Sequence, residues 1–376
     1  MRALLRSALE YLEENEDSQL VRTMASPLLL MSWGYGLAMD SRWLFQELRR
    51  RAEVPCAVIS VGNLTVGGTG KTPLVAWLSR YLSRRNLSVG VVCHGYGSRS
   101  RDRFILLRGV RPSSRMARRA GDETVLLSRA LGSVPVASGR RKLETLVELW
   151  DRVRPHVVLV DDAFQTIAMK RDLDVVVVDA VNPWGRGYLL PRGRLRERRE
   201  SLSRADVVVA TRCNEAADVT ATLSEIHELT SAPVVTAEHV PDGVSKAGTW
   251  ETLPAGTLGG KNVYAFSGIG SPSSFERALG EMGAVVVGTR RFGDHHFFSP
   301  SDLVKVEDAA SRLGAEYLAT TEKDAVRLPQ GTGTRASGGI VAVGVGIRIR
   351  DGSEHLERAV LGAVAKRQSG GNRCKA

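Results

Sequence analysis

Cys56-Ala57-Val58-Ile59-Ser60-Val61-Gly62-Asn63 runs directly into Leu64-Thr65-Val66-Gly67-Gly68-Thr69-Gly70-Lys71-Thr72-Pro73, and Leu74, Val75, Leu78 and Leu82 follow at helical spacing. An apolar run, a glycine-rich loop and an amphipathic helix in that order read as strand, phosphate-binding loop and helix. Glycines let the backbone curl so that successive N–H groups converge on phosphate oxygens. In that frame Thr65, Val66, Gly67, Gly68, Thr69, Gly70, Lys71 and Thr72 are the nucleotide-binding residues. Lys71 reaches the β- and γ-phosphates of a nucleoside triphosphate, and the Thr72 hydroxyl ligates Mg²⁺. One position departs from the general pattern: six residues before Lys71, where a glycine is usual, stands Thr65.

Outward from this loop, further strand-like runs recur at 88–93, 134–137, 157–160, 175–178 and 206–210, with helical patterns at 73–84, 122–131 and 140–151 between them. Strands alternating with helices predict an α/β fold: a P-loop NTPase-like, mostly parallel sheet covered by helices on both faces. The stretch 241–261 is rich in Pro and Gly and predicts a boundary. The expected organisation is therefore residues 1–240 as the phosphate-loop domain and 241–376 as a second, smaller α/β domain. Residues 1–22 read as an amphipathic helix and Ser369–Ala376 as a disordered basic tail.

Three other stretches carry chemistry. Val157-Val158-Leu159-Val160-Asp161-Asp162 describes a buried parallel strand presenting two carboxylates at its C-terminal edge, where ligands of open α/β sheets sit. A phosphate-loop enzyme needs an acid there for Mg²⁺, so Asp161 and Asp162 join Thr72 as metal candidates. Gly121-Asp122-Glu123 starts a helix, with Asp122 readable as its N-cap; a carboxylate that orients a hydroxyl and accepts its proton is compatible with that position. Phe292-Gly293-Asp294-His295-His296-Phe297-Phe298-Ser299 places Asp beside His-His on a loop, with Ser299 before Pro300 as a helix cap. A histidine tuning a catalytic carboxylate is the sharper reading, because no further ligands stand at zinc spacing. Arginines at 111–119 and at 192, 194, 196, 198 and 199 follow strand ends and suit anion contact. Thr321-Glu322-Lys323-Asp324 resembles the guanine-reading Asn-Lys-x-Asp in the wrong order, so GTP specificity is not indicated.

The 376 residues carry a formal charge of +11, which calls for an acidic partner: nucleic acid, anionic lipid or a phosphorylated substrate. Four cysteines without a C-x-x-C pair argue against a disulfide framework or zinc site and fit a reducing compartment. Thr23–Met39 is free of charge, yet short for a membrane span and interrupted by Pro27, Gly34 and Gly36. It reads as a segment that docks on a bilayer, with Trp33, Tyr35 and Trp43 at the interface, or packs on the core.

Taken in order, Asn63–Pro73, Gly121–Glu123, Asp161–Gln165, Pro191–Glu197, Ser267–Phe275, Asp294–Ser299 and Thr321–Leu328 resemble the tetraacyldisaccharide 4'-kinases, the lipid A 4'-kinases of Gram-negative envelope synthesis. The resemblance runs from about Pro27 to about Leu328. A loop with Thr in the first glycine position and Pro after Lys-Thr is specific to that family. The resemblance implies two α/β domains with the active site in the cleft between them. It implies an ATP- and Mg²⁺-dependent kinase that phosphorylates the 4'-hydroxyl of a lipid A disaccharide 1-phosphate precursor. It implies work at the cytoplasmic face of the inner membrane; the 23–39 segment and the basic balance add peripheral binding to anionic lipid, and no nucleic acid partner is expected. Lys71 and Thr72 match the phosphate-loop pair, Asp161 and Asp162 the strand-end acids, Asp122 the catalytic carboxylate and His295 its histidine partner. Glu123 matches the acid beside that carboxylate.

The chain also departs from the family. His94 stands where Arg is usual, Thr124 where Pro is usual, Ala163 and Thr166 replace Gly and His, and Arg192 and Arg194 replace Ala and Pro. The His94 and Thr166 changes motivate one rival, a nucleotide-binding regulator or inactive paralogue; the other is a phosphate-loop kinase or ligase acting on a soluble substrate.

Overall fold

The computed structural model describes residues 19–47, 51–95, 98, 100, 102–329, 331 and 333–373. The expected helix at 1–22 lies mostly outside these residues, as do Tyr96, Gly97 and the last three residues. The chain divides into two compact units, one of residues 1–92, 141–239 and 348–376, the other of 93–140 and 240–347.

In the first unit, α1 (Gln19–Glu47) precedes a six-stranded parallel sheet of order β2-β5-β1-β6-β7-β8. The strands are β1 (Ala57–Asn63), β2 (Val89–His94), β5 (Val157–Asp161), β6 (Leu173–Asp179), β7 (Val207–Thr211) and β8 (Val234–Lys246). β1, β5 and β7 are buried along their whole length, the signature of a sheet covered on both faces. The helices of this unit are α2 (Lys71–Ser83), α5 (Lys142–Val153), α6 (Val219–Leu229) and α10 (Ser353–Arg373). Register decides the site: Val61 pairs with Asp161, so the acid leaves β5 at the level where β1 releases the glycine loop.

The second unit holds an antiparallel pair, β3 (Ile105–Leu107) and β4 (Val136–Gly139), with α3 (Ser114–Ala120) and α4 (Asp122–Leu131). It also holds β9 (Asn262–Ser267), α7 (Pro272–Glu281), β10 (Val285–Arg291), α8 (Pro300–Arg312), β11 (Tyr317–Thr321), α9 (Glu322–Ala325) and β12 (Ile340–Asp351). Its strand order is β10-β9-β11-β12, paired in parallel throughout.

The units do not follow the contiguous division expected at 240/241. Leu107, Ala117, Ala120 and Val125 pack in one apolar cluster with Phe266, Phe298, Val306 and Val326, which draws 93–140 into the second unit. The turn-rich stretch hides a long strand, since β8 runs through to Lys246. The tail expected to be disordered is helical as far as Arg373.

α1 contains Pro27 and presents two different faces. Ser32 is buried and donates to Leu189 O at 2.8 Å, while Arg192 N donates back to Ser32 Oγ at 3.1 Å. On the opposite side Leu30, Met31, Trp33, Leu37 and Phe45 are exposed, Leu30 by 75% and Trp33 by 70%. The sequence left bilayer docking and core packing as alternatives; the helix packs by one face and leaves an apolar face open. Among the described residues no helix is long and apolar enough to cross a membrane.

Candidate active site

The glycine loop closes against a distant segment. Thr65 forms an antiparallel bridge with Leu195, Val66 N donates to Arg194 O at 2.8 Å, and Arg196 N donates to Leu64 O at 2.7 Å. Extended backbone suits β-branched Thr65 and Val66, which is why a glycine is not needed at the first position. Asn63 Nδ2 donates to Thr65 O at 2.7 Å and to Thr69 Oγ1 at 3.0 Å, and Thr211 Oγ1 holds Thr69 O at 2.8 Å. Gly70 stands at φ +87° before the first turn of α2, a conformation side chains rarely adopt. The His239 ring fills the space a Cβ there would take. Burial, then Arg212, pushes the His239 imidazole down to about 4, so it is neutral.

Beside the loop, Asp162 gathers cations. Arg196 Nη1 donates to its two oxygens at 2.8 and 2.9 Å, Lys71 Nζ lies 3.7 Å away and Lys142 Nζ 3.8 Å. Burial raises the carboxyl, but Lys71, Arg196 and Lys142 outweigh it and hold the group well below the usual carboxylate range. Asp161 is buried at the end of β5. Gln165 bridges the two segments, donating to Asn63 O at 2.9 Å and lying 3.4 Å from Arg196 Nη1 through its Oε1.

Thr72, Asp161 and Asp162 each carry a hard oxygen donor. Among the described residues no cluster of three or more His, Cys, Asp and Glu side chains could hold a metal by itself. Hard oxygens suit Mg²⁺, which binds through one or two carboxylates plus substrate phosphates.

Asp122 and His295 meet within the second unit. Gly121, at φ 93°, breaks α3 from α4, and Asp122 becomes the first residue of α4 rather than its cap. Its Oδ1 accepts Glu123 N at 2.9 Å. His295 sits at φ 60° on the loop between β10 and α8, its N–H held by Gly268 O at 3.1 Å and Asp294 Oδ1 at 2.9 Å. Phe292 stacks on His296 and meets buried Phe298 edge-on, and Ser299 and Asp302 form a reciprocal capping box that starts α8. The loop is thereby anchored on both sides of His295. His295 Nδ1 lies 3.1 Å from Asp122 Oδ2.

Sequence reasoning had not assigned a role to the residue that organises this pair. Arg327 is 1% exposed, the largest fully buried side chain among the described residues. Its Nε donates to Asp122 Oδ2 at 2.9 Å, a terminal nitrogen donates to the same oxygen, and Nη1 reaches Asp324 Oδ1 at 3.1 Å and Gly268 O at 3.3 Å. Asp324 in turn accepts from Gly268 N at 3.0 Å and Thr321 Oγ1 at 2.7 Å. Burial raises Asp122, but His295, Arg327 and Lys323 overcome it and hold the carboxyl well below its ordinary value. Burial lowers the imidazole of His295. The signal in the sequence was the Thr321–Leu328 stretch, where a buried Arg six residues after a strand-end Thr had no stated purpose. Lys142 and His239 were missed for the same reason, their partners being remote in sequence, while Arg196, expected at an anion, pairs with Asp162.

Fold and loop together define a phosphate-loop nucleotide-binding protein whose parallel sheet ends in a pair of acids, with a separate carboxylate–imidazole pair. Residues 24–365 match the LpxK family, tetraacyldisaccharide-1-P 4'-kinase, and the chain belongs to it. A tetraacyldisaccharide 4'-kinase from Anaeromyxobacter sp. (strain Fw109-5) is 39% identical over 333 residues, 88% of this chain and 87% of the relative. One from Syntrophus aciditrophicus is 34% identical over 302 residues, 78% of this chain and 81% of the relative. The crystal structure of the "apo" form of LpxK from Aquifex aeolicus in complex with ATP superposes with a TM-score of 0.72 at 26% identity. It covers 91% of this chain and 99% of that one.

Proposed function

We infer that this protein is an ATP-dependent kinase that phosphorylates the 4'-hydroxyl of a tetraacyldisaccharide 1-phosphate lipid A precursor. Its family membership supports the reaction, and the likeness to a relative solved with ATP supports the nucleotide. The observation that carries the site assignment is the placing of Lys71 and the Asp161–Asp162 pair at one edge of one sheet, with Lys71 3.7 Å from Asp162. Lys71 shares Asp162 with Arg196 and Lys142. Loop N–H groups from Thr65 to Thr72 wrap the β- and γ-phosphates, and Lys71 turns to the phosphate to offset charge in the transition state. Thr72 and an acid of the Asp161–Asp162 pair would hold Mg²⁺, which when bound neutralises phosphate charge. Asp122 and His295 receive the acceptor hydroxyl and its proton.

α1 and the charge support a place of action. An exposed apolar face with two aromatics, on a chain of formal charge +11, suits peripheral binding to an anionic lipid surface, here the cytoplasmic face of the inner membrane.

The test is purified protein with ATP, Mg²⁺ and disaccharide 1-phosphate lipid, read by mass for the gain of one phosphate. Lipid-independent ATP hydrolysis with no phosphorylated lipid would overturn the reading. Vesicle pelleting tests the location. Association should prefer anionic vesicles, weaken with salt and drop when residues 1–40 are removed; equal pelleting of both forms would reject it.

A further inference from the structure

We propose that Arg194 is a further catalytic residue: its guanidinium contacts the terminal phosphate of the bound nucleoside triphosphate, as an arginine finger supplied by the strap that shapes the glycine loop. The proposal rests on the reading of Thr65–Thr72 as the nucleotide-binding loop and deepens it.

Arg194 is one of the positions at which the chain departs from the family pattern, where Pro is usual. Its backbone is fixed first. Arg194 O accepts Val66 N at 2.8 Å, and Leu195 bridges both Thr65 and Leu189. Leu195 is buried in one apolar cluster with Leu64 and Phe164. In extended chain the two neighbours of a residue face the opposite way. Arg194 and Arg196 therefore leave the strap on the side away from that cluster. Arg196 Nη1 meets Asp162 Oδ1 at 2.8 Å, beside the end of β5, and Arg194 reaches the loop at Gly67.

The stem of Arg194 has a set route. It lies against Gly185, at φ +51°, where a Cβ would stand 2.7 Å from Arg194 Cβ and 3.2 Å from its Cδ. Asn182 Oδ1 accepts the Gly185 N–H at 2.9 Å and holds this turn. The guanidinium then stands beside Gly67, with Nη1 3.8 Å from the point a Cβ of that glycine would occupy. Among the described residues nothing else comes within 4 Å of that point, and nothing comes within 4 Å of the matching point on Gly68. The tip of the loop is open there except for one cation.

Position selects the phosphate. α2 starts at Lys71, so its N-terminal N–H groups and Lys71 hold the phosphate chain near the helix. Gly67 and Gly68 form the end of the loop farther from the helix, and a cation there meets the γ end of the chain. A planar guanidinium matches two phosphate oxygens at once. In the transfer the acceptor oxygen bonds to the γ-phosphorus and the bond from that phosphorus to the β,γ-bridging oxygen breaks. The electron pair leaves with ADP, and the hydroxyl proton passes to the Asp122–His295 pair inferred above. Arg194 gives up no proton; it offsets the charge spread over the oxygens of the moving group.

The experiment is calorimetric binding of ADP and of the β,γ-imido analogue of ATP, each with Mg²⁺, to wild type, Arg194→Met and Arg194→Lys. Thermal melts and kcat on disaccharide 1-phosphate lipid accompany it. Wild type should prefer the triphosphate analogue, and equal affinities there would overturn the proposal. Arg194→Met keeps the stem and loses the charge. It should weaken the triphosphate analogue roughly 10–100-fold, leave ADP within about twofold and lower kcat roughly 10²–10³-fold. Arg194→Lys should retain only part of the preference, because a point charge lacks the two-pronged grip. An unchanged ratio of the two affinities in Arg194→Met overturns the proposal. So does an equal loss of both nucleotides, which would make Arg194 a prop of the loop. If Arg194→Met does not fold, a wild-type ratio in Arg194→Lys overturns it. Binding of neither nucleotide to wild type overturns instead the nucleotide reading of the loop.

Discussion

Asp162 and Asp122 are carboxylates in different units, each held acidic by neighbouring cations, yet the cations differ in kind. Asp162 is 30% exposed and meets three separate cations, Lys71, Lys142 and Arg196, at the end of a parallel sheet. Asp122 is 4% exposed and meets Arg327, which has no exposure and a second carboxylate on its other side. The first arrangement is exchangeable: an anionic ligand can take over the lysines. The second is a fixed scaffold whose charges are committed to one another. A nucleotide site needs the former and a site that orients one hydroxyl needs the latter.

The contrast breaks most visibly if the scaffold cation is removed. Arg327→Met should destabilise the protein by about 3–5 kcal/mol, because two buried carboxylates lose their common partner; Arg196→Met should cost far less. Chemical denaturation of both variants checks this, and equal losses would erase the distinction between the two sites. Next comes the exchangeable cation. Lys71→Ala should lower kcat about 10²–10³-fold while leaving the melt near wild type, as expected for charge stabilisation used in the transition state. Near-normal kcat in a folded variant would remove the loop from catalysis.

Smaller effects sharpen the acids of the open site. Asp161→Asn and Asp162→Asn should each raise the Mg²⁺ concentration needed for half-maximal rate, to unequal extents, as Asp162 is ringed by cations and Asp161 is sealed at the strand end. A Mg²⁺ titration unchanged in both would place the metal on other residues. The smallest concerns the loop that carries His295. The Ser299 backbone N–H, with its hydroxyl and His296, holds Asp302 at about 2. Its folded value lies below its unfolded value of about 3.9, so its stabilisation is present above that pH and is lost as pH falls through about 2. The stability gap between wild type and Asp302→Asn should therefore close between about pH 5 and about pH 2. A constant gap would mean that the carboxylate charge is not what fastens the cap.

How far each site could be read from the chain follows the same division. The open site is built from contiguous stretches: a strand, a glycine loop, and a second strand ending in Asp161-Asp162. Local pattern is enough to find it, and register does the rest. The sealed site joins Asp122, His295 and Arg327, which are 173, 205 and 32 residues apart in their pairings. Asp122 and His295 were each picked out by local pattern and paired through the family resemblance, whereas Arg327 had no pattern around it. The same limit explains the unit boundary: the turn-rich stretch was visible, but the packing of Ala117, Ala120 and Val125 with Phe298 and Val326 is a long-range fact. β8 was hidden because Pro241 and Gly243 lie inside it, residues that ordinarily end a strand.

The strap of residues 194–196 has a consequence for anyone who would transplant or search for this loop. The bridge from Thr65 to Leu195 and the backbone bonds on either side of it mean that half of the loop's shape is encoded some 130 residues downstream. A search string that demands glycine at the first position passes over such chains. A graft of Thr65–Thr72 alone into another sheet would arrive without its template. The portable unit is the pair of segments, and an engineer moving one must carry the other.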